Sequence, residues 1–165
     1  MKKLIALAIL VASTISCNQK QTPPTTVTIE DAYTLEIPSN LAPIQELFPG
    51  ADLQYGNTYL QTYLIGKKSV KAQTSNFQAF VDQSLALYNK RPNYEIVKKE
   101  DVTINGIKGQ QYELKMSQKD VYMYMIQTML NGEKANYLLM GWTTSQNAEV
   151  ESQKIKETIN TFKEL

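Results

Sequence analysis

The fold is decided by residues 121–130, VYMYMIQTML, in the second half of the chain. Successive side chains of a β-strand point to opposite faces of its sheet, so this stretch presents two sets of residues. The two sets are Tyr122, Tyr124, Ile126 and Leu130 on one face, and Val121, Met123, Met125 and Met129 on the other. Because both faces are apolar, each needs a covering layer. The stretch therefore predicts a central strand in a three-layered domain.

The sequence on either side of this stretch predicts the neighbouring strands. Residues 137–142, YLLMGW, are again apolar on both faces and follow Asn131-Gly132. Residues 94–104 and 108–116 flank Asn105-Gly106. Asn-Gly between alternating apolar residues is the strongest short-range hairpin signal. The two turns therefore predict antiparallel pairing.

The N-terminal third predicts shorter elements. Residues 27–29 and 33–37 alternate apolar with polar around Glu30-Asp31, which predicts a hairpin with one wet face. Residues 40–48 predict a short helix that ends at Pro49-Gly50. Residues 51–55 and 58–66 predict two strands around Gly56-Asn57, an acceptable two-residue hairpin connection.

Two longer helices complete the domain. Residues 75–90 begin with Ser75 and Gln78 in the spacing of a capping box. Their apolar stripe is Phe77, Phe80, Val81, Leu85 and Tyr88. Residues 147–162 predict the second helix, with an apolar side of Ala148, Ile155, Ile159 and Phe162. The sequence thus predicts a single α+β domain in which helices flank an antiparallel sheet of about seven strands.

This order of elements resembles a known fold family. The motifs that carry the resemblance are Y-x-L-x-I-P at residues 33–38, I-N-G at residues 104–106 and the closing segment INTFK at residues 159–163. Together they resemble the PsbP-like α/β/α sandwich of the extrinsic photosystem protein PsbP, the yeast Ran-binding nuclear import factor and small bacterial lipoproteins of the DcrB type. The segment ADLQYGN, residues 51–57, is similar to an element of bacterial lipoproteins with this layout. The resemblance covers residues 27–163 and implies docking onto other macromolecules, with no catalytic residue to transfer.

The N-terminus has the organisation of a secretory signal. Lys2 and Lys3 precede an apolar run, and small residues then lead to Cys17, the sole cysteine. The run is shorter than the roughly 20 apolar residues that a membrane-spanning helix needs. The segment resembles a bacterial lipoprotein signal, which implies that Cys17 becomes the lipidated first residue of the mature chain. Thr14 departs from that pattern, where Leu is usual, and an ordinary secretory signal cut nearby is the alternative.

The domain boundaries follow from this interpretation. We expect residues 1–16 to be the signal peptide, residues 17–26 to be a lipidated cysteine with a tether stiffened by Pro23-Pro24, and residues 27–165 to be the PsbP-like domain. Lipoproteins of this type are commonly retained at the inner membrane by Asp directly after the cysteine, a position that Asn18 occupies here. We therefore expect an outer membrane lipoprotein that faces the periplasm.

Composition narrows the classes of function. The chain has 17 basic and 16 acidic residues, and loss of Lys2 and Lys3 would leave a net charge of −1. Nucleic-acid-binding domains usually carry a marked positive excess, so we expect no nucleic-acid partner. The chain also contains no histidine, which excludes histidine-based triads and histidine-ligated metals.

Motifs that could carry chemistry are weak. Asp101, Thr103 and Asn105 have the spacing of the start of a calcium loop, but Tyr112 stands where the bidentate Glu of an EF-hand belongs. The adjacent pairs Glu30-Asp31 and Glu100-Asp101 would point to opposite faces of a strand. A carboxylate pair assembled from distant residues stays an alternative. We expect no catalytic, cofactor-binding or metal-binding residues and interpret the protein as a non-enzyme.

Ten tyrosines and six methionines suggest two accounts of function. In the first, the hydroxyls of tyrosines on the predicted strands reach the polar rims of the sheet. These tyrosines are Tyr55, Tyr59, Tyr63, Tyr122, Tyr124 and Tyr137. In the second, an exposed aromatic and Met-rich patch docks a partner or a lipid-like ligand. The leading hypothesis is a lipid-anchored cell-envelope protein that binds a protein partner. The alternative is a carrier of a small apolar ligand in a pocket between sheet and helix.

Overall fold

Strand β8 (Val121–Asn131) lies inside a seven-stranded antiparallel sheet, between β7 (Ile107–Gln118) and β9 (Ala135–Thr144). The computed structural model describes residues 22–74 and 76–165. The register of β8 pairs Met125 with Leu114 on one side and with Trp142 on the other. From Met125 to Leu130 every residue of β8 is buried, which confirms the predicted central strand.

The remaining elements form one α+β domain. The strands are β1 (Thr25–Ile29), β2 (Tyr33–Ile37), β3 (Ala42–Pro43), β4 (Leu53–Asn57), β5 (Thr62–Val70), β6 (Glu95–Ile104) and β10 (Lys163–Glu164). The helices are α1 (Phe77–Ala86) and α2 (Ala148–Ile159). The large sheet has the order β3-β4-β5-β9-β8-β7-β6, and β1-β2-β10 form a separate small sheet.

One face of the large sheet is covered by α2 and the small sheet. Ile126 and Leu130 of β8 pack there against Ile155 and Ile159 of α2. The small sheet contributes the ring of Tyr33, whose centroid lies 5.4 Å from that of Phe162. We call this side the α2 face.

The other face is covered by α1. Met125 and Met129 pack there in one cluster with Phe80 and Val81 of α1. This α1 face and the α2 face are the two covered sides that the pattern of residues 121–130 predicts. The described residues thus form the predicted α/β/α arrangement, with the hairpin at residues 25–37 set apart as a second sheet.

Two glycines allow the covering layer to approach the α2 face closely. A Cβ on Gly141 would collide with Ile155 of α2, and a Cβ on Gly66 would collide with the hydroxyl of Tyr33. Interiors are packed at crystal-like density, so any side chain at these positions would push the layer outward. Gly141 and Gly66 therefore set the distance at which helix and small sheet lie on the large sheet.

Three local predictions differ from the structure. Residues 40–48 form no helix, since β3 pairs Ala42 with Gly56 and the rest of the segment turns. Pairing with β4 replaces helical hydrogen bonds here, since Pro43 opposes Tyr55 and the N–H of Ile44 donates 3.0 Å to the carbonyl of Gln54. The β4–β5 turn lies at residues 58–61, where the side chain of Asn57 accepts hydrogen bonds from the N–H groups of Tyr59 (3.0 Å) and Leu60 (2.9 Å).

The cap of α1 also differs from the prediction. Ser75 lies outside the described residues. The N-cap is Asn76, whose side chain accepts a hydrogen bond of 2.9 Å from the N–H of Ala79. Gln78 instead donates to Asp82 one turn later, at 2.8 Å. The helix ends at Ala86, four residues before the predicted end at residue 90.

The C-terminus ties the two sheets together. Glu164 accepts hydrogen bonds from the N–H groups of Glu133 (2.7 Å) and Lys134 (2.9 Å) in the β8–β9 turn. It also accepts one from the hydroxyl of Tyr137, at 2.9 Å. Burial raises the pKa of Glu164, but these donors outweigh it and hold the pKa below its usual value.

Candidate functional site

The long edge strand of the large sheet is its most accessible element. β6 pairs with β7 alone and forms the outer edge of the sheet, whereas the opposite edge, β3, has two residues. Seven of the ten residues of β6 are exposed. No hydrogen bond from another described element reaches the outer backbone groups of residues 95–104. An edge of this kind is a template on which a further strand can pair.

Charged side chains alternate along β6. On the α2 face, Lys98 and Glu100 form an ion pair with an N–O distance of 2.7 Å, and hydrogen bonding to Glu100 raises the pKa of Lys98. On the α1 face, the ammonium of Lys99 lies 5.4 Å from the centre of the Tyr112 ring. The register skips Val97, which marks a bulge. Charges and bulges of this kind oppose unselective pairing, so a strand that docks here must carry complementary charges.

Behind β6 lies an ion-pair cluster centred on Glu113 of β7. One carboxylate oxygen accepts a hydrogen bond of 2.6 Å from Lys156 of α2, and the other accepts one from the hydroxyl of Tyr124. Burial raises the pKa of Glu113, but the bonds from Lys156 and Tyr124 and the charge of Lys98 lower it by more. Since both oxygens of Glu113 are engaged, this cluster joins α2 to the sheet and offers no free base.

The pocket between the sheet and α2 is small. Its volume is about 20 Å³, room for about one water molecule. Buried Glu151 closes its inner end, where it accepts hydrogen bonds from Thr62 (3.1 Å) and Lys154 (2.7 Å). Small-molecule sites usually enclose roughly 300–1,000 Å³, so this pocket does not fit the apolar ligand of the alternative hypothesis.

A wider groove lies on the other side, between α1 and the sheet. Its volume is about 230 Å³. Its apolar side chains are Phe48, Phe80, Leu87 and Leu138, and its polar ones include Lys67, Ser69, Gln83 and Ser84. The ammonium of Lys67 lies 5.7 Å from the centre of the Phe48 ring at this groove. A small apolar ligand bound on this side of the sheet would lie in this groove, in contact with α1.

The tyrosines and methionines are mostly internal. Met116, Met125, Met129 and Met140 are buried, and Met123 is half-buried. Of the six tyrosines singled out on the predicted strands, Tyr59 and Tyr122 are exposed. Three tyrosine hydroxyls donate hydrogen bonds to side-chain oxygens: Tyr112 to Gln110, Tyr124 to Glu113 and Tyr137 to Glu164. The account in which tyrosine hydroxyls reach polar groups therefore describes these three tyrosines, and the methionines belong to the core of the α1 face.

Exposed apolar side chains gather at one end of the large sheet. Register places the start of β5, the end of β9 and the start of β8 at this end, since Tyr63 opposes Trp142 and Met123 opposes Thr144. Six of the nine large apolar side chains exposed in the described residues lie there. They are Tyr59, Ile96, Val97, Val121, Tyr122 and Val150, which we call the apolar end.

The predicted lipidation site lies outside this description. Cys17 precedes residue 22, where the described chain begins. β1 starts at Thr25, two residues before the predicted start of the domain at Val27. Sequence reasoning did not single out β6 as an edge, although its charged residues on both faces, Lys98 to Asp101, were a visible signal.

The described residues contain neither a cluster of metal ligands nor a membrane-spanning helix. In residues 22–74 and 76–165 no three Asp, Glu, His or Cys side chains are grouped as metal ligands. Within those same ranges no helix has the length and apolarity needed to cross a bilayer.

Comparison with known proteins identifies the fold. The sequence matches no family model and no curated protein. Among solved structures, cyanobacterial PsbP (CyanoP) from Synechocystis is similar with a TM-score of 0.61 and 11% identity, over 91% of this chain and 98% of that one. LpqN of Mycobacterium tuberculosis, described as involved in cell envelope biogenesis, is similar with a TM-score of 0.59 and 12% identity, over 88% of this chain and 87% of that one.

A third structure extends the comparison. A Pseudomonas aeruginosa protein of unknown function is similar with a TM-score of 0.55 and 15% identity, over 85% of this chain and 96% of that one. At such identities a likeness in structure shows the fold alone. The fold of this chain is the PsbP-like α/β/α sandwich.

Proposed function

We propose that this chain is a lipid-anchored protein of the cell envelope that docks a protein partner along the exposed edge of β6. The observation that carries the docking proposal is this ten-residue edge, which pairs on one side only. A partner segment would add as a further strand, with its backbone supplying affinity and its side chains supplying selectivity. Lys98 and Glu100 on one face, and Lys99 and Asp101 on the other, define the charges that the partner must match.

The envelope part of the proposal rests on the N-terminal sequence. Cys17 follows a charged, then apolar, then small-residue segment, which favours lipidation at this position. The similarity in fold to LpqN, involved in cell envelope biogenesis, supports the same compartment. Asn18 after the cysteine favours the outer membrane, with the domain in the periplasm. On this proposal the protein acts by binding and is not an enzyme.

Photo-crosslinking in cells tests the docking surface. A photoreactive amino acid is placed in the full chain at Lys99 or Thr103 of β6, or at exposed control positions Gln153 and Val70. We expect a crosslinked adduct with one protein of defined mass from the β6 positions and none from the controls. Equal adducts from all four positions, or an adduct with a second copy of this chain, would contradict the proposal.

The anchor has its own test. Replacing Cys17 with Ala should abolish labelling by a fatty-acid analogue and release the protein from the membrane fraction. Equal labelling of Cys17→Ala and the native chain would refute the anchor. Digestion by protease added to intact cells would refute the periplasmic orientation.

The groove beside α1 keeps a second candidate function open. Its four apolar side chains favour a small apolar ligand there over the pocket of about 20 Å³ under α2. A groove beside the outer side of α2 is larger, at about 500 Å³, but its lining side chains are polar except for Pro24 and Pro38. Native mass spectrometry of the purified protein would detect such a ligand as added mass. Leu138→Trp, which fills the groove, should then remove it.

A further inference from the structure

We propose that the apolar end faces the membrane, with Tyr59 and Tyr122 resting among the lipid headgroups of the bilayer that holds the anchor. This inference rests on the proposed anchoring at Cys17. The apolar end shares Ile96 and Val97, at the start of β6, with the docking edge, whereas residues 98–104 of β6 lead away from it towards the far end of the sheet.

The first support is the exposure of the apolar end. Tyr59, in the β4–β5 turn, is 92% exposed, and Tyr122 at the start of β8 is 60% exposed. Val150, in the first turn of α2, is 59% exposed beside them. Tyrosine is enriched at membrane interfaces, where its ring meets apolar groups and its hydroxyl stays hydrated.

These residues lie together because of register and two hydrogen bonds. The N–H of Ser145, just before α2, donates 2.9 Å to the carbonyl of Tyr122. The side chain of Asn147, at the start of α2, donates 3.0 Å to the carbonyl of Leu60, next to Tyr59. The strands β5, β9, β8, β7 and β6 lie side by side in this order, so the end of the sheet from β5 to β6 spans four inter-strand distances. At roughly 4.8 Å each, this is about 19 Å.

The second support is the place where the chain enters the domain. The hydroxyl of Ser39 donates 3.1 Å to the carbonyl of Thr22, the first described residue. The neighbouring carbonyl of Asn40 accepts 2.8 Å from the side chain of Asn57, the last residue of β4. Asn57 opposes Thr62 at the start of β5, so these contacts connect the entry of the chain to the side of the domain on which the apolar end lies, where Thr22 shares a groove with Lys154 of α2.

The length of the tether then limits the distance to the bilayer. Cys17 and Thr22 are five residues apart. A fully extended chain spans at most about 3.6 Å per residue, so Thr22 stays within about 18 Å of the lipidated cysteine. The far end of the sheet lies the length of β5, nine residues or about 30 Å, beyond Thr62 at its start. The tether therefore holds the apolar end, and not the far end, close to the lipid surface.

The occupant that fits is a lipid surface. The exposed side chains come from one turn, the starts of two strands and the first turn of a helix, and none of them lines the pocket under α2 or the groove beside α1. A bilayer brought there by the tether would cover them all at once, because an interfacial surface needs no shaped complement. A protein partner or a second copy at this end is the competing outcome of the test.

Site-specific fluorescence tests the inference on the full lipidated chain. Single cysteines replace Tyr122 or Val150 at the apolar end, and Val70 or Leu165, 55% and 47% exposed, as matched controls elsewhere. Each variant is labelled with an environment-sensitive dye and reconstituted in phosphatidylethanolamine–phosphatidylglycerol vesicles that contain lipids with a nitroxide near the headgroup. Emission of Trp142, the sole tryptophan, checks that each variant is folded.

We expect nitroxide lipids to quench labels at positions 122 and 150 severalfold more strongly than labels at positions 70 and 165. Equal quenching at all four positions, or dye protected from water at 122 and 150 without quenching by lipid, would overturn the inference. The unsubstituted chain separates this failure from failure of the anchor. Since a lipidated Cys17 has no free thiol, dye uptake by that chain would refute the proposed anchoring instead.

Discussion

At the scale of single residues, the carboxylate of Glu113 is the main charged link between α2 and the large sheet. Its side chain is 9% exposed, and that of its partner Lys156 is 23% exposed. Pairing at this depth is less screened than on an open surface. Hydrogen bonds to charged groups contribute about 1.5–3 kcal/mol each. Glu113 therefore couples the position of the helix to the protonation of one carboxylate.

We predict that Glu113→Gln lowers stability at pH 7 by about 1.5–3 kcal/mol. The folded-state pKa of Glu113 lies below its unfolded value, near 4.3 for a free Glu. Its stabilising contribution is therefore present above that pH and is lost as the pH falls through the folded pKa. Urea denaturation at pH 7, 5 and 3 should show the difference between variant and native chain shrinking with acid. A constant difference, or an equal loss in exposed Glu157→Gln, would contradict this.

We predict a second residue-scale effect at Gly141. Gly141→Ala should destabilise the fold by about 1–3 kcal/mol, because its Cβ collides with Ile155 and overpacks the interface. A double-mutant cycle with Ile155→Ala measures the collision directly. The cost of Gly141→Ala should be smaller in that background, since the side-chain atoms it meets are gone. Additive costs would show that the collision is not the cause.

At the scale of elements, β8 provides a test of burial on both faces. We predict that Met125→Ala and Ile126→Ala each cost about 2–5 kcal/mol, because both side chains are buried, against α1 and α2 respectively. Tyr122→Ala in the same strand is the control, since its ring is largely exposed, and it should change stability by no more than about 0.5 kcal/mol. The urea denaturation midpoints of the three variants test this prediction. A neutral Met125→Ala would mean that α1 does not cover its face.

The elements that the sequence predicts correctly are those that are determined by residues within a short stretch of the chain. Asn105 adopts a positive φ of 48° and Gly106 one of 88°, as the turn between β6 and β7 requires, and both residue types tolerate this conformation. The alternation of residues 121–130 likewise specifies both faces of β8. The predicted helix at residues 40–48 is wrong because Ala42 pairs with Gly56 of β4, a strand further along the chain. The edge position of β6 depends on the order of all seven strands, which no local pattern contains.

At the scale of the whole molecule, Glu164 joins the last strand to the turn between β8 and β9. We predict that Glu164→Gln destabilises the fold by about 1.5–3 kcal/mol, because an amide cannot accept from all three donors that the carboxylate satisfies. Hydrogen exchange should speed up in β2 as well as β9, since the residue links both sheets. Glu36→Gln, an exposed carboxylate of β2, should leave exchange unchanged. Faster exchange confined to the turn would show that the sheets are not coupled through Glu164.

The small sheet has a consequence for when the domain can fold. β2 pairs with β1 on one side and with β10 on the other, where Tyr33 opposes Glu164, 131 positions further along the chain. The ring of Tyr33 packs against Phe162, so in a nascent chain it stays uncovered on this side until Phe162 has been synthesised. Contacts between such distant residues form late. If the chain is exported as proposed above, this order delays closure of the domain, so the chain can pass through a translocation channel unfolded until β10 has crossed.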